Sequence, residues 1–477
     1  MPVHHFDLIV LGSGPAGERA ASFAAAQGKK VAVVERDVVF GGNVSNRGTL
    51  PSKTLREAAM HLAGFRQRGI QGVNVSLQDQ AGTQDLLYRE RLVRQLEQTR
   101  IRTVFDQARV TLFHGHASFA GPSQLKVEMA GGLGGEELLS AEVILIATGS
   151  SPWRSELFAT DDPAVFDSET ILQLSRIPKR LAVVGGGVIG SEYACIFAAF
   201  GVQVTLIEEG ERLLPFLDKD LSAALLASMR AQGIDVRLQD SVLDIRRGTP
   251  TGLMLSSGAS LEVDAVFACN GRKGNTVRLN LPAVGLLADE RGFLAVDEHG
   301  RTAQSGVYAA GDVVGFPALA TSAREQAERA VSHAFALSKG AGVVVPTLYG
   351  IYTIPECSMV GETEASLLER RENYVAGIAH FAANIKGQII GAKAGFLKLL
   401  FQRETKKLLG VHLFGESASE LVHIGVIALQ AGATTQLFLD THFNYPTLGE
   451  LYKAATLDAL EKCKPAKPVG SLLRPRG

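Results

Sequence analysis

Paired thiols are the first thing this sequence does without. Its four cysteines, Cys195, Cys269, Cys357 and Cys463, are scattered, and no two stand in a C-x-x-C arrangement. That argues against a disulfide framework or a thiolate metal site and predicts buried, neutral thiols. Charge imbalance is also missing: 48 Lys and Arg against 49 Asp and Glu leave a formal net charge of -1. Nothing electrostatic therefore draws the chain to nucleic acid or to an anionic membrane. No run of 18 apolar residues occurs, so no transmembrane span is expected. The opening stretch MPVHHFDLIVLGSG carries neither a cationic n-region nor a cleavage site, and its apolar part reads as a strand. A cytoplasmic enzyme is the expectation that survives these exclusions.

What remains is a soluble, globular composition, 46% hydrophobic and 20% charged. At 477 residues the chain exceeds one ordinary core and should form several domains. Glycine is plentiful, 51 residues, as expected where backbone must turn tightly or approach phosphate. One motif occurs twice. FDLIVL, residues 6–11, leads into GSGPAG and an Ala-rich helical segment; LAVV, residues 181–184, leads into GGGVIG and the helical SEYACIFAAFG. Each copy then returns through a second strand, KKVAVVER or VQVTLIEE, whose acid, Glu35 or Glu208, lies 23 residues after the first glycine.

The chemistry of that pattern is specific. Glycines allow the tight turn and close approach of a pyrophosphate, the helix N-terminus offers N–H donors, and the acid accepts ribose hydroxyls. A single copy also arises from packing alone, but two copies in strand–helix–strand context point to two bound dinucleotides. A further acid, Asp312, follows the apolar strand and glycine turn of TAQSGVYAAGD, where it could bond the hydroxyls of a flavin's ribityl chain. The segment after it, residues 318–337, is helical by pattern, and its N-terminus near Ala320 could stabilise a reduced flavin through its dipole.

Taken together, GSGPAG, the GG-x5-G-x2-PSK loop, ATGS, GGGVIGSE, YAAGD and YTIPECSMVGETE resemble the flavin-dependent pyridine nucleotide–disulfide oxidoreductases, in order and over nearly the whole chain. The resemblance implies an α/β fold with two Rossmann-like dinucleotide-binding domains, for FAD and NAD(P), and a C-terminal α+β dimerisation domain. It places the FAD domain at 1–150 and 276–344, the NAD(P) domain at 151–275 and the dimerisation domain at 345–465, with a disordered tail at 466–477. Cofactor contacts then fall on Gly12, Gly14, Gly17, Glu35, Gly42, Lys53, Ala117, Thr148, Gly149, Asp312 and Ala320. They continue on Gly185, Gly187, Gly190, Glu192, Glu208, Gly271 and Arg272. Lys53 should sit by flavin N5 and Glu192 should pair with it, because a fixed cation stabilises the electron-rich reduced ring.

The loop GGNVSNRGTLPSK, residues 41–53, departs from that family where it matters most. Val44 and Thr49 stand at the positions of the redox cysteines. In FNYPTLGE, Tyr445 replaces the histidine that serves the thiols, while Glu450 keeps the acid position; a tyrosine titrates near 10 and is no base at neutral pH. The two losses agree. Hydride transfer from nicotinamide to flavin is retained and transfer to a disulfide is lost, which resembles the soluble transhydrogenase branch of the family. The catalytic set expected is Lys53, Glu192, Thr49, Tyr445 and Glu450, the last two completing the site of the second subunit in a homodimer.

Glu208 and the adjoining Glu209 suit a free ribose and oppose a 2′-phosphate, with Arg212 the only nearby cation. NADH should therefore be preferred over NADPH. Two other functions fit the same residues: an NADH reductase passing electrons to a quinone or dye, and a redox-silent FAD-binding scaffold. His114 and His116 stand two apart on a strand-like segment with no third ligand, and like His423 and His442 read as structural. LYRERLVRQLEQTRIR reads as a helix with a solvated face.

Overall fold

A computed structural model of the protein describes residues 2–67, 86–131, 135–158, 162–337 and 346–464; the tail expected at 466–477 lies outside them. The chain divides into two compact units. The first comprises Met1–His61, Ser76–Gly185 and Val242–Gly342; the second comprises Leu62–Val75, Gly186–Ser241 and Val343–Gly477. This grouping cuts the second glycine motif after Gly185.

In the first unit the strand Val3–Leu11 lies between Val31–Glu35 and Glu136–Ile146, parallel to both, and Val307–Ala309 pairs parallel with the far side of Glu136–Ile146. The stretches Leu8–Leu11, Val31–Val34 and Val143–Ile146 read as continuous apolar runs because both faces are buried there. Ile9, Leu11, Ala32 and Val34 enter one core, and Leu8, Val10, Val31 and Val33 the other. The long strand Thr111–Gly121 changes partners along its length. Thr111 to His114 run parallel to Ala32 to Glu35, and from Gly115 onward it pairs antiparallel with Gln124–Met129.

Helices Pro15–Ala26 and Ala320–Ala334 cover one face of this sheet. They meet through small side chains, Ala20, Ala21 and Ala24 on one and Ala323, Ala327 and Ala330 on the other, all in one core. The charged segment forms helix Tyr88–Gln107, which buries Ile101 and Phe105 and leaves Leu92 and Leu96 exposed. The same unit holds strands Val165–Phe166, Arg180–Val184 and Ala265–Ala268, with the last parallel to the other two.

In the second unit Gln203–Glu208 pairs parallel with Asp235–Leu238. Its largest element is a five-stranded antiparallel sheet built from Leu348–Ile351, Glu356–Gly361, Leu408–Gly415, Phe396–Gln402 and Tyr374–His380, in that spatial order. Helices Ala418–Gln430 and Leu451–Cys463 close its core around Tyr452 and Phe401. The expectation of buried thiols holds for Cys195 and Cys357, which are buried. Burial pushes the Cys357 thiol up to about 12 and the Cys269 thiol well above its ordinary value. Cys269 and Cys463 depart from the expectation: both are only half-buried, and Lys406 Nζ lies 3.2 Å from the Cys463 sulfur.

Candidate dinucleotide sites

The first glycine motif is shaped by what its backbone must pass. Gly12 has φ +104, and a Cβ there would lie 2.5 Å from the Ala147 carbonyl oxygen, so no other residue fits. Gly14 caps helix Pro15–Ala26 with extended backbone (φ -66, ψ -175) and no side-chain cap, leaving its first-turn N–H groups available to an anion. Gly17 lets the helix close onto the Gly12 carbonyl. Glu35 ends the next strand, buried, with one carboxylate oxygen accepting from the Ser13 N–H (2.8 Å) and Ser13 Oγ (2.6 Å) and the other from Asp37 N–H (2.9 Å).

The 41–53 loop comes up against this turn. Gly41 has φ +97 and starts the short helix Gly42–Asn46, and its N–H donates to Ser13 Oγ at 3.1 Å. A Cβ on Gly42 would stand 3.0 Å from Gly14 Cα; two glycines thus meet face to face. Val44 lies within the short helix, Thr49 opens the next, Thr49–Gln67, and Lys53 follows one turn later. Asn43 Nδ2 donates to the Ser150 carbonyl at 2.6 Å.

Ser150, the last residue of ATGS, organises the rest. Its hydroxyl donates to Asp312 at 2.9 Å and accepts from Arg272 Nε at 2.7 Å, while Arg272 Nη2 donates to its carbonyl at 2.7 Å. Arg272 thereby stands 4.0 Å from the Asp312 carboxylate. Asn275 supports the same loop, donating from Nδ2 to the Thr148 carbonyl and from its backbone to that of Gly149. Asp312 begins a short 3-10 turn behind Gly311, whose φ of +79 strains any side chain and where a Cβ would stand 3.2 Å from Ala16 Cβ. Gly311 N–H is held by Gln326 of helix Ala320–Ala334.

These residues fit a bound FAD. Two glycine turns form a cradle that a single Cβ would fill, and Thr148 Oγ1 is buried there with no hydrogen-bond partner among the described residues. Ala117 lies on the neighbouring strand opposite Val127. His114, beside Glu35 in register, buries an Nε2 with no partner among the described residues, and burial lowers the His116 imidazole. Among the described residues neither histidine falls in a cluster of potential metal ligands.

The second motif repeats the first in detail. Gly185 has φ +107, and a Cβ there would lie 2.7 Å from the Cys269 carbonyl oxygen; Cys269 N–H donates to Val184 as Ala147 N–H donates to Leu11. Gly187 caps helix Val188–Ala199 at φ -71, ψ -172, nearly the angles of Gly14, and Gly190 is buried in that helix. Glu208 accepts from the Gly186 N–H through one oxygen and from Gly210 N–H through the other, at 2.7 Å. The match with Glu35 is not complete: Glu208 is only half-buried where Glu35 is buried, and the residue after the first glycine differs. Ser13 adds a hydroxyl to its acid, whereas Gly186 adds nothing, and a Cβ there would meet Leu213 at 2.6 Å and Glu208 Oε2 at 2.9 Å. Arg212 turns back to donate to the Pro215 carbonyl.

Of the expected catalytic residues, Thr49 and Lys53 belong to the first unit, and Glu192, Tyr445 and Glu450 to the second. Glu192 is buried and accepts from Tyr352 N–H at 2.8 Å. Tyr445 is 65% exposed, followed by the short 3-10 turn Leu448–Glu450. Residues that sequence reasoning passed over are Ser13, Ser150 and Asn275. Ser150 was in plain view as the end of ATGS, but nothing in the local pattern said which way its hydroxyl faced.

Comparison with known proteins agrees with this geometry. Residues 6–327 match the model of the pyridine nucleotide-disulphide oxidoreductases and 347–456 that of their dimerisation domain. The chain belongs to this family. It is similar, at 43% identity over 97% of its length and all of the relative's, to a soluble pyridine nucleotide transhydrogenase of Hahella chejuensis. A protein of the same name from Yersinia pestis is 42% identical over 96% of this chain and 98% of the relative. Among solved structures, the HOCl-induced flavoprotein disulfide reductase RclA from Escherichia coli superposes with a TM-score of 0.83 at 25% identity, covering 94% of this chain and 99% of that one. LpdA from Mycobacterium tuberculosis, at 24% identity, shares the fold with a TM-score of 0.86 over 95% of this chain and 99% of its own.

Proposed function

We propose that the protein is a soluble, cytoplasmic, FAD-dependent oxidoreductase of transhydrogenase type, moving hydride between nicotinamide nucleotides without a thiol relay. The observation that carries this reading is a pair of matched glycine–acid turns, the first of them against a 41–53 loop that keeps its glycines and Lys53 but holds Val44 and Thr49. The names of the full-length relatives support it. FAD, when bound, supplies the flavin that accepts hydride from one nucleotide and returns it to another. The chain's own work is positional. Gly12, Gly14 and Gly42 admit the cofactor's backbone approach, Glu35 takes the adenosine ribose, and Asp312, oriented by Ser150, takes the ribityl hydroxyls. Lys53 and Glu192 keep the roles the resemblance gives them.

NADH is the preferred donor. The Glu208 carboxylate is fixed by two backbone N–H groups, so a 2′-phosphate meets a charge that cannot swing aside. Arg212, engaged with Pro215, gives that phosphate no counter-charge. The domain limits and the homodimer, with Tyr445 and Glu450 serving the second subunit, follow the same reading, as does the alternative of a quinone acceptor.

Anaerobic stopped-flow tests the proposal. FAD-loaded protein reduced by one equivalent of NADH is mixed with thio-NAD⁺ or thio-NADP⁺. Rapid flavin re-oxidation with thio-nicotinamide product, faster for thio-NAD⁺, is the expected result. Re-oxidation by a quinone alone would make the protein an acceptor reductase, and failure of NADH to bleach the flavin would leave only a scaffold.

A further inference from the structure

Glu35 and Glu208 close their strands alike, but they are not equally free to accept a further hydrogen bond. A carboxylate offers about four lone-pair places, two on each oxygen. Among the described residues, three donors already meet Glu35: Ser13 N–H at 2.8 Å and Ser13 Oγ at 2.6 Å on Oε2, and Asp37 N–H at 2.9 Å on Oε1. Oε2 is full, and Oε1 has a single place open. Two donors meet Glu208, Gly186 N–H on one oxygen and Gly210 N–H on the other, so each oxygen keeps a place.

The Ser13 hydroxyl makes the difference, and it is held where it is. Ser13 is fully buried, and its Oγ accepts from Gly41 N–H at 3.1 Å while its proton lies on Glu35. Turning the hydroxyl away would leave buried polar groups unbonded, which the interior penalises. Nothing can do the same at Glu208, because Gly186 has no side chain and a Cβ there would meet Leu213 at 2.6 Å. A ribose brings two adjacent hydroxyls. On Glu208 both find an open lone pair; on Glu35 only one does. We infer that Ser13 is a specificity-determining residue of the first turn: its hydroxyl stands in for a ribose hydroxyl, and Glu35 holds the adenosine ribose of FAD through one hydroxyl alone. The first turn therefore accepts a deoxyribose that the second rejects.

The inference rests on the reading of the first motif as the FAD site, so its test begins with the unaltered full chain, stripped of flavin and titrated with FAD. Quenching of flavin fluorescence reports binding without turnover. If FAD does not bind, the functional reading itself fails. If it binds, the titration is repeated with FAD lacking the 2′- or the 3′-hydroxyl of its adenosine. One analogue should bind within about twofold of FAD and the other about ten- to a hundredfold more weakly, the range of one hydrogen bond to a charged group. Equal weakening by both analogues overturns the inference, as does full tolerance of both. Ser13→Ala opens the last place on Glu35, so the analogue that the unaltered chain tolerates should now bind about fivefold or more below FAD. That ratio is taken within one variant, so a general loss of affinity does not imitate it. A variant that still binds FAD and this analogue alike overturns the inference. At the second turn, calorimetry of the FAD-loaded enzyme should find both corresponding deoxy forms of NAD⁺ weaker than NAD⁺; tolerance of either would show that open places on the acid do not decide ribose recognition, and the inference falls with it.

Discussion

Single positions carry most of the specificity in this chain, and they divide into those a sequence can announce and those it cannot. Gly12 announces itself, because only a glycine can hold its φ of +104 with a carbonyl oxygen 2.5 Å from where a Cβ would sit. Gly12→Ala should therefore yield folded protein purified without flavin; full yellow colour and a normal 450 nm band would show that the turn has more give than its geometry allows. Glu35 and Glu208 are equally legible, since an acid at the end of the second strand has few other reasons to be there. Ser150 and Asn275 are not. Polar loop residues have no period, and only the fold decides that one faces Asp312 and the other the Thr148 carbonyl.

At the scale of elements, strand Phe396–Gln402 shows how burial can contradict pattern. In FLKLLFQ, Lys398 reads as an ordinary outward-facing residue, yet its side chain is fully buried. Its ammonium reaches Asp218 at 2.9 Å, Asp220 at 2.7 Å and Glu364 at 2.8 Å. Asp218 also caps helix Lys219–Ala231. Partners so distant in the chain leave no local signature, which is why the cluster escaped the sequence. Burial would raise the Asp218 carboxyl, but His412 and the bonded Lys398 outweigh it and hold it below its usual value. Lys398→Met leaves a buried carboxylate without its counter-charge, a loss of about 3–5 kcal/mol. Urea unfolding should show it, and Asp218→Asn in the same chain should return part of it. A midpoint unmoved by Lys398→Met would mean the cluster contributes nothing.

For the molecule as a whole, the consequence is acid sensitivity. His412 is fully buried, its Nε2 2.9 Å from the Glu362 carbonyl and so carrying the proton, and burial lowers it to about 4. Between pH 6.5 and about 4 the unfolded chain takes up a proton that the folded one refuses, so stability falls as pH falls. That window is worth on the order of 3 kcal/mol. Asp218 adds to the fall below it, since a carboxyl held low stabilises only while ionised and loses that contribution as it protonates. Thermal midpoints should drop between pH 7 and 4.5, and His412→Gln should flatten that slope. An equally steep slope in the variant would place the acid sensitivity elsewhere.

The two glycine turns differ by one hydroxyl, and under the proposed function that difference separates a guest that stays from one that is exchanged. Ser13 Oγ ties its acid to the N–H of Gly41, and so to the loop that bears Lys53. Gly186 ties no such knot. On that proposal one nucleotide is a tenant and the other a visitor, and an enzyme that exchanges partners at a flavin needs one of each.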